Sequence, residues 1–129
     1  MAILLDTTVL IDVLRGRPAA TRLRRMRGSE DPPFVCAINV EELTRGIRPR
    51  ESRALLKMLD GVRIAPLGRT EAETAGRWRR EFAARGTTLS QSDCLIAAAA
   101  VGMGARLATG NPKDFPMKEL VVEHWPVGE

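Results

Sequence analysis

The sequence predicts an α/β domain built around a mostly parallel sheet. Three observations carry that expectation. Short apolar runs alternate with segments of helical periodicity along the whole chain. Gly and Pro punctuate most of the boundaries between them. Acidic residues also recur just after the apolar runs, where open parallel sheets place their ligand sites.

Residues 2–5 (AILL) are apolar throughout, as a buried strand requires. Residues 7–15 follow with Val9, Leu10, Val13 and Leu14 on one helical side. Pro18 opens a second, basic helix that Gly28 closes, since Pro suits the first helical turn and Gly the position past the last. The SEDPP stretch reads as a loop and residues 34–38 as a second strand. Residues 39–46 start a helix, Pro49 breaks it, and residues 51–59 form another. Asp60-Gly61 turns the chain into a third strand at residues 62–66. Thr70 caps a long helix that runs to Arg85 and ends at Gly86. Ser90 opens an Ala-rich helix through Val101, stopped by Gly102 and Gly104. Residues 106–109 make a fourth strand, residues 112–115 a turn, and residues 120–125 a fifth strand.

These elements fit one domain over residues 1–129, of 14.2 kDa. The longest apolar stretch, residues 94–101, falls well short of the roughly 20 residues that cross a membrane. The N-terminal AILL has no basic leader, which predicts a cytoplasmic protein that does not engage a membrane. Cys36 and Cys94 lie in apolar surroundings without metal-site spacing, and His124 is the single histidine. That excludes a zinc-ligand set, and nothing in the spacing supports a Cys94–His124 dyad. With three Phe, two Trp and no Tyr, an extended aromatic stacking platform for nucleic acid is also disfavoured.

Acids stand out at the strand ends. Asp6 directly follows the first strand, Glu42 lies one turn into the helix after the second, Asp93 opens the Ala-rich helix, and Asp114 follows the fourth strand. Strands running the same way would gather them at one edge. Bare carboxylates in one small volume raise one another's pKa, and a hard divalent cation resolves the conflict. An all-oxygen donor set favours Mg²⁺ or Mn²⁺ over zinc. Each acid also fits a local structural role. Asn39-x-x-Glu42 and Ser90-x-x-Asp93 match capping boxes, Asp6 a helix cap, and Asp114 a turn. Spacing leaves the two readings open.

Four motifs in order narrow the choice: LLDTTVLIDVL, INVEELTRG, LSQSDCLIAAAA and LATGNPKDF. Together they resemble PIN-domain ribonucleases, specifically the VapC-type toxins of VapBC toxin–antitoxin pairs. The resemblance spans residues 2–125. It implies a PIN-like α/β/α sandwich and a ribonuclease that hydrolyses phosphodiesters with water activated by bound Mg²⁺ or Mn²⁺. It further implies a homodimer and a VapB antitoxin whose tail occupies the active-site groove. By position it makes Asp6, Glu42, Asp93 and Asp114 the metal-binding catalytic acids, with Glu42 rather than Glu41 the matching member of that pair. Thr8 and Asn111 become auxiliary polar residues, Thr8 standing where such toxins often carry Asn or Ser. Gly110 departs from the pattern, because many relatives carry a base there.

Seventeen of the twenty basic residues are Arg, and the formal charge is +4. Setting the four acids aside leaves the remainder at +8. A genome rich in G and C would favour Arg over Lys in the same way, without deciding where the Arg residues sit. Arg15, Arg17, Arg22, Arg24, Arg25 and Arg27 form a run without an intervening acid, a candidate contact for RNA or for an acidic antitoxin segment. The competing reading is a non-catalytic RNA- or partner-binding α/β domain whose acids are helix caps.

Overall fold

The computed structural model describes residues 1–26 and 32–128. Five parallel strands lie in the order β3-β2-β1-β4-β5. They are β1 (Ile3–Leu5), β2 (Pro33–Val35), β3 (Arg63–Ile64), β4 (Arg106–Thr109) and β5 (Val122–His124). The helices are α1 (Thr7–Leu14), α2 (Pro18–Met26), α3 (Ala37–Gly46), α4 (Ser52–Asp60), α5 (Arg69–Ala84) and α6 (Gln91–Gly102). Single 3-10 turns occupy Pro49–Glu51 and Pro112–Asp114.

Alternation along the short central strands builds two cores. Ile3 and Leu5 of β1 and Ala108 of β4 pack with Val9, Leu10, Leu23 and Leu55. Leu4 and Leu107 point the other way, against Trp78 of α5 and the small residues of α6. Both faces of the sheet are therefore covered, which is why β1 is apolar at every position. The run Ala97, Ala98, Ala99, Ala100 is buried, and side chains this small let α6 lie close to sheet and α5 alike.

The expected order of elements is observed, with shifted boundaries. The second strand begins at Pro33 and ends at Val35, because α3 starts at Ala37, two residues earlier than expected. Asn39 consequently sits inside the first turn, where its Oδ1 accepts from the Cys36 N–H at 2.8 Å. Helix α5 begins at Arg69 after Gly68, whose N–H donates to Glu71 Oε1 at 2.6 Å, so Thr70 is not the cap. Ser90 does cap α6, its Oγ accepting from the Asp93 N–H at 3.0 Å. The proposed stop at Gly28, Arg27 and most of the SEDPP loop lie outside the described residues.

Strand order positions the site. From β1 the chain moves to β2 and β3 on one side, then returns to β4 and β5 on the other. The loops leaving β1 and β4 thus diverge, opening a crevice at the carboxyl ends of these two neighbours.

Candidate active site

Asp6 is the first residue beyond β1 and is 5% exposed. Its N–H donates to the Ala108 carbonyl at 2.9 Å, extending the β1–β4 ladder by one bond. Its Oδ2 accepts from Thr109 Oγ1 at 2.7 Å and from Thr8 Oγ1 at 3.3 Å. Those hydroxyls in turn accept from backbone beyond β4: Thr109 from the Asn111 N–H and Thr8 from the Gly110 N–H, each at 3.0 Å. The two diverging loops are thereby stitched together around one carboxylate. Burial raises the Asp6 pKa, hydrogen bonds from Thr109, Thr7 and Thr8 oppose it, and the charge of Glu42 adds to the rise.

Glu42 lies half-buried on α3 while the adjacent Glu41 is exposed. A relay fixes it: Asn39 Nδ2 donates to Thr7 Oγ1 at 2.9 Å, and Thr7 Oγ1 donates to Glu42 Oε1 at 2.8 Å. Asn39 is fully buried. Glu42 therefore serves neither as the third residue of α3 nor as its capping carboxylate; its partner sits on α1.

Asp93 occupies the first turn of α6. Its pKa is raised first by burial, then, against the hydrogen bond from Ser90, by the charges of Asp6, Asp114 and Glu42. Asp93 is thus within electrostatic reach of the other three carboxylates. Asp114 is exposed and closes the 3-10 turn, its N–H donating to the Asn111 carbonyl at 3.0 Å. The Asn111 backbone shapes this turn, accepting from Asp114 while its own N–H binds Thr109. Among the described residues no three His, Cys, Asp or Glu side chains already form a metal cage. The donor set nevertheless suits a hard divalent cation, being all-oxygen and drawn from four segments of the chain.

The first Arg run is largely engaged elsewhere. Arg15 pairs with Glu51 at 3.2 Å and Arg17 with Asp12 at 3.0 Å. Arg22 binds Glu123 and stacks over Trp125, 4.2 Å from the ring centroid. Arg24 donates to Thr21, whereas Arg25 has no ion-pair partner among the described residues. Sequence reading missed Thr7 and Thr109 as site residues, whose only signal was their place within the LLDTTVLIDVL and LATGNPKDF motifs.

The PIN domain model matches residues 3–117, a span containing all four acids. The chain belongs to the PIN-domain family. Two relatives place it on the VapC branch. It is 33% identical to ribonuclease VapC10 of Mycobacterium tuberculosis over 117 residues, covering 91% of this chain and 88% of that one. It is also 33% identical to ribonuclease VapC19 of the same organism, covering 88% and 92%. The fold is that of VapBC2 from Rickettsia felis, solved bound to a fragment of promoter DNA, with a TM-score of 0.86. That likeness covers 97% of this chain and 99% of the other at 22% identity. Within this PIN domain Gly110 has a steric role, since a Cβ there would lie 2.5 Å from Val127 Cγ2.

Proposed function

We propose that this PIN-domain chain is a metal-dependent endoribonuclease, the toxin of a toxin–antitoxin pair. The observation that carries it is the Asp93 carboxylate at the crevice meeting the charges of Asp6, Asp114 and Glu42, on a VapC-related chain. Asp6, Glu42, Asp93 and Asp114 would hold Mg²⁺ or Mn²⁺. Such an ion, when bound, activates water and neutralises charge on a phosphodiester.

The chain's own residues prepare the place. Thr109 and Thr8 hold the Asp6 carboxylate in one orientation, and Thr7 does the same for Glu42. Burial removes Asp6 from bulk water, so the cluster's charge is poorly screened and its demand for a cation is sharpened. Asp114, on an exposed turn, is open to an approaching substrate. The scissile strand supplies the electrophile and water the nucleophile, so no side chain forms a covalent intermediate. The partner on this reading is a VapB-type antitoxin, since the Rickettsia neighbour was solved as a VapBC complex, and the toxin itself is a homodimer in the manner of the family.

Purified protein should cleave cellular RNA with Mn²⁺ or Mg²⁺ and stop with chelator. Asp6→Asn and Asp93→Asn should each lower the rate by at least about 100-fold while circular dichroism stays that of the parent. Parental activity in both variants would overturn the proposal.

A further inference from the structure

Asp93 and Asp114 themselves help line a cavity of about 330 Å³ that extends over Phe82, Thr87, Thr88, Lys113 and Pro116. We infer that it is a subsite for one unpaired nucleotide of the RNA strand, adjacent to the phosphodiester that is cut. This assignment rests on the ribonuclease reading above.

The wall is built rather than incidental. Helix α5 ends at Ala84, and Gly86 with φ +85° turns the chain back, a conformation that suits glycine. The Thr87 N–H then donates to the Phe82 carbonyl at 2.9 Å, folding the loop against its own helix. Leu89 is buried in the core and Ser90 caps α6, so the far end is anchored too. Thr87 and Thr88 are held between two fixed points beside the acids.

The chemistry of the lining selects the occupant. Phe82 and Pro116 offer apolar surface to a base, and Phe82 is itself held by the Arg85 guanidinium, 4.3 Å from its ring centroid. Among the described residues no hydrogen bond engages the Thr87 or Thr88 side chain, and no ion pair engages Lys113. These groups supply two hydroxyls for ribose or base edges and one cation for phosphate. Lys113 directly precedes Asp114, so a phosphate reaching the carboxylates meets this charge on the way. The volume lies at the small end of ligand pockets, on the scale of a single nucleotide. A base paired inside a helix has its faces stacked and cannot enter, so the occupant is unpaired.

Binding is the test, on the full-length chain with Asp6→Asn as the common background and Mg²⁺ present, so that the strand survives. The probe is a fluorescent single-stranded RNA of random sequence, about twelve nucleotides long, and the same length as duplex. Single strand should bind at least about tenfold tighter than duplex. Lys113→Ala, the pair Thr87→Val with Thr88→Val, and Phe82→Leu should each weaken the single strand by about fivefold or more, with duplex affinity unchanged. Phe82→Leu keeps apolar bulk in the partly buried site, and the Lys113 and Thr variants alter exposed groups, so the result does not depend on one fold-sensitive change. Variants that all bind as the background does, or that lose single strand and duplex alike, would overturn the subsite. So would a background protein that binds no single strand. Failure of the ribonuclease reading appears separately, as an absence of metal-dependent cleavage by the parent.

Discussion

A carboxylate surrounded by other carboxylates is pushed towards water unless something on its protein side holds it. For Glu42 that hold is the hydroxyl of Thr7, itself fixed by the buried amide of Asn39. Thr7→Val keeps the side-chain shape but removes the donor and leaves Asn39 Nδ2 without its acceptor. The stability cost should be about 1–3 kcal/mol. At saturating RNA, kcat should fall about tenfold with KM little changed, because a misaligned acid weakens the transition state more than substrate binding. Thr7→Ser should restore most of the rate. Steady-state kinetics on the three proteins decides it: parental kcat in Thr7→Val would show that the relay does not position Glu42. This pairing was hidden in the sequence. Asn39 stands three residues before Glu42 and looks like a cap, whereas its Nδ2 partner is 32 positions away. Asp6, Asp93 and Asp114 each lie close to an element boundary marked in the sequence, whereas Glu42 lies inside α3.

At the level of elements, the end of β4 and the C-terminal segment are fitted to each other. The Gly110 N–H holds Thr8, which leaves the α-carbon of Gly110 facing Val127. Val127 cannot easily retreat: the N–H of neighbouring Gly128 donates to Asp12 Oδ2 at 2.9 Å, and Asp12 is buried and paired with Arg17. Gly110→Ala places a Cβ 2.5 Å from Val127 Cγ2 and should destabilise the fold by about 1–3 kcal/mol. Val127→Ala introduced into that variant should recover most of the loss. A double-mutant cycle by urea unfolding measures the coupling, and strict additivity would show that the contact does not decide why glycine stands there. The same level explains what sequence reading could and could not place. Short apolar runs alternating with helical segments made the α/β class plain, because β1, at the centre of a parallel sheet, buries both faces. The boundary between β2 and α3 was misplaced because PFVCAI is apolar or neutral throughout, offering no change of period at Cys36.

For the molecule as a whole, the +4 is an average over unlike regions. Several acids pair with Arg, as Asp12, Glu51 and Glu123 do, while Asp93 at the crevice meets the charges of Asp6, Asp114 and Glu42. The crevice therefore opposes folding unless a cation or a proton relieves it. Burial and neighbouring charge raise the pKa of Asp93 above its ordinary 3.8, and burial does the same for Asp6. Between the ordinary and the raised values the native state binds more protons than the unfolded chain. Stability from these two groups thus falls as pH rises through that window, and the penalty is complete above it. In chelator at pH 7, Asp93→Asn should consequently melt a few degrees above the parent. The gap should close as pH falls through the raised pKa towards the ordinary carboxylate range. Mg²⁺ should raise the parent's Tm and shift Asp93→Asn far less, because the cation relieves the repulsion that the amide has already removed. Thermal melts of both proteins against pH and Mg²⁺ check every part of this. An apo Asp93→Asn that melts below the parent at pH 7, with Mg²⁺ shifting both equally, would mean that Asp93 stabilises the fold through local contacts and not that it waits for a metal.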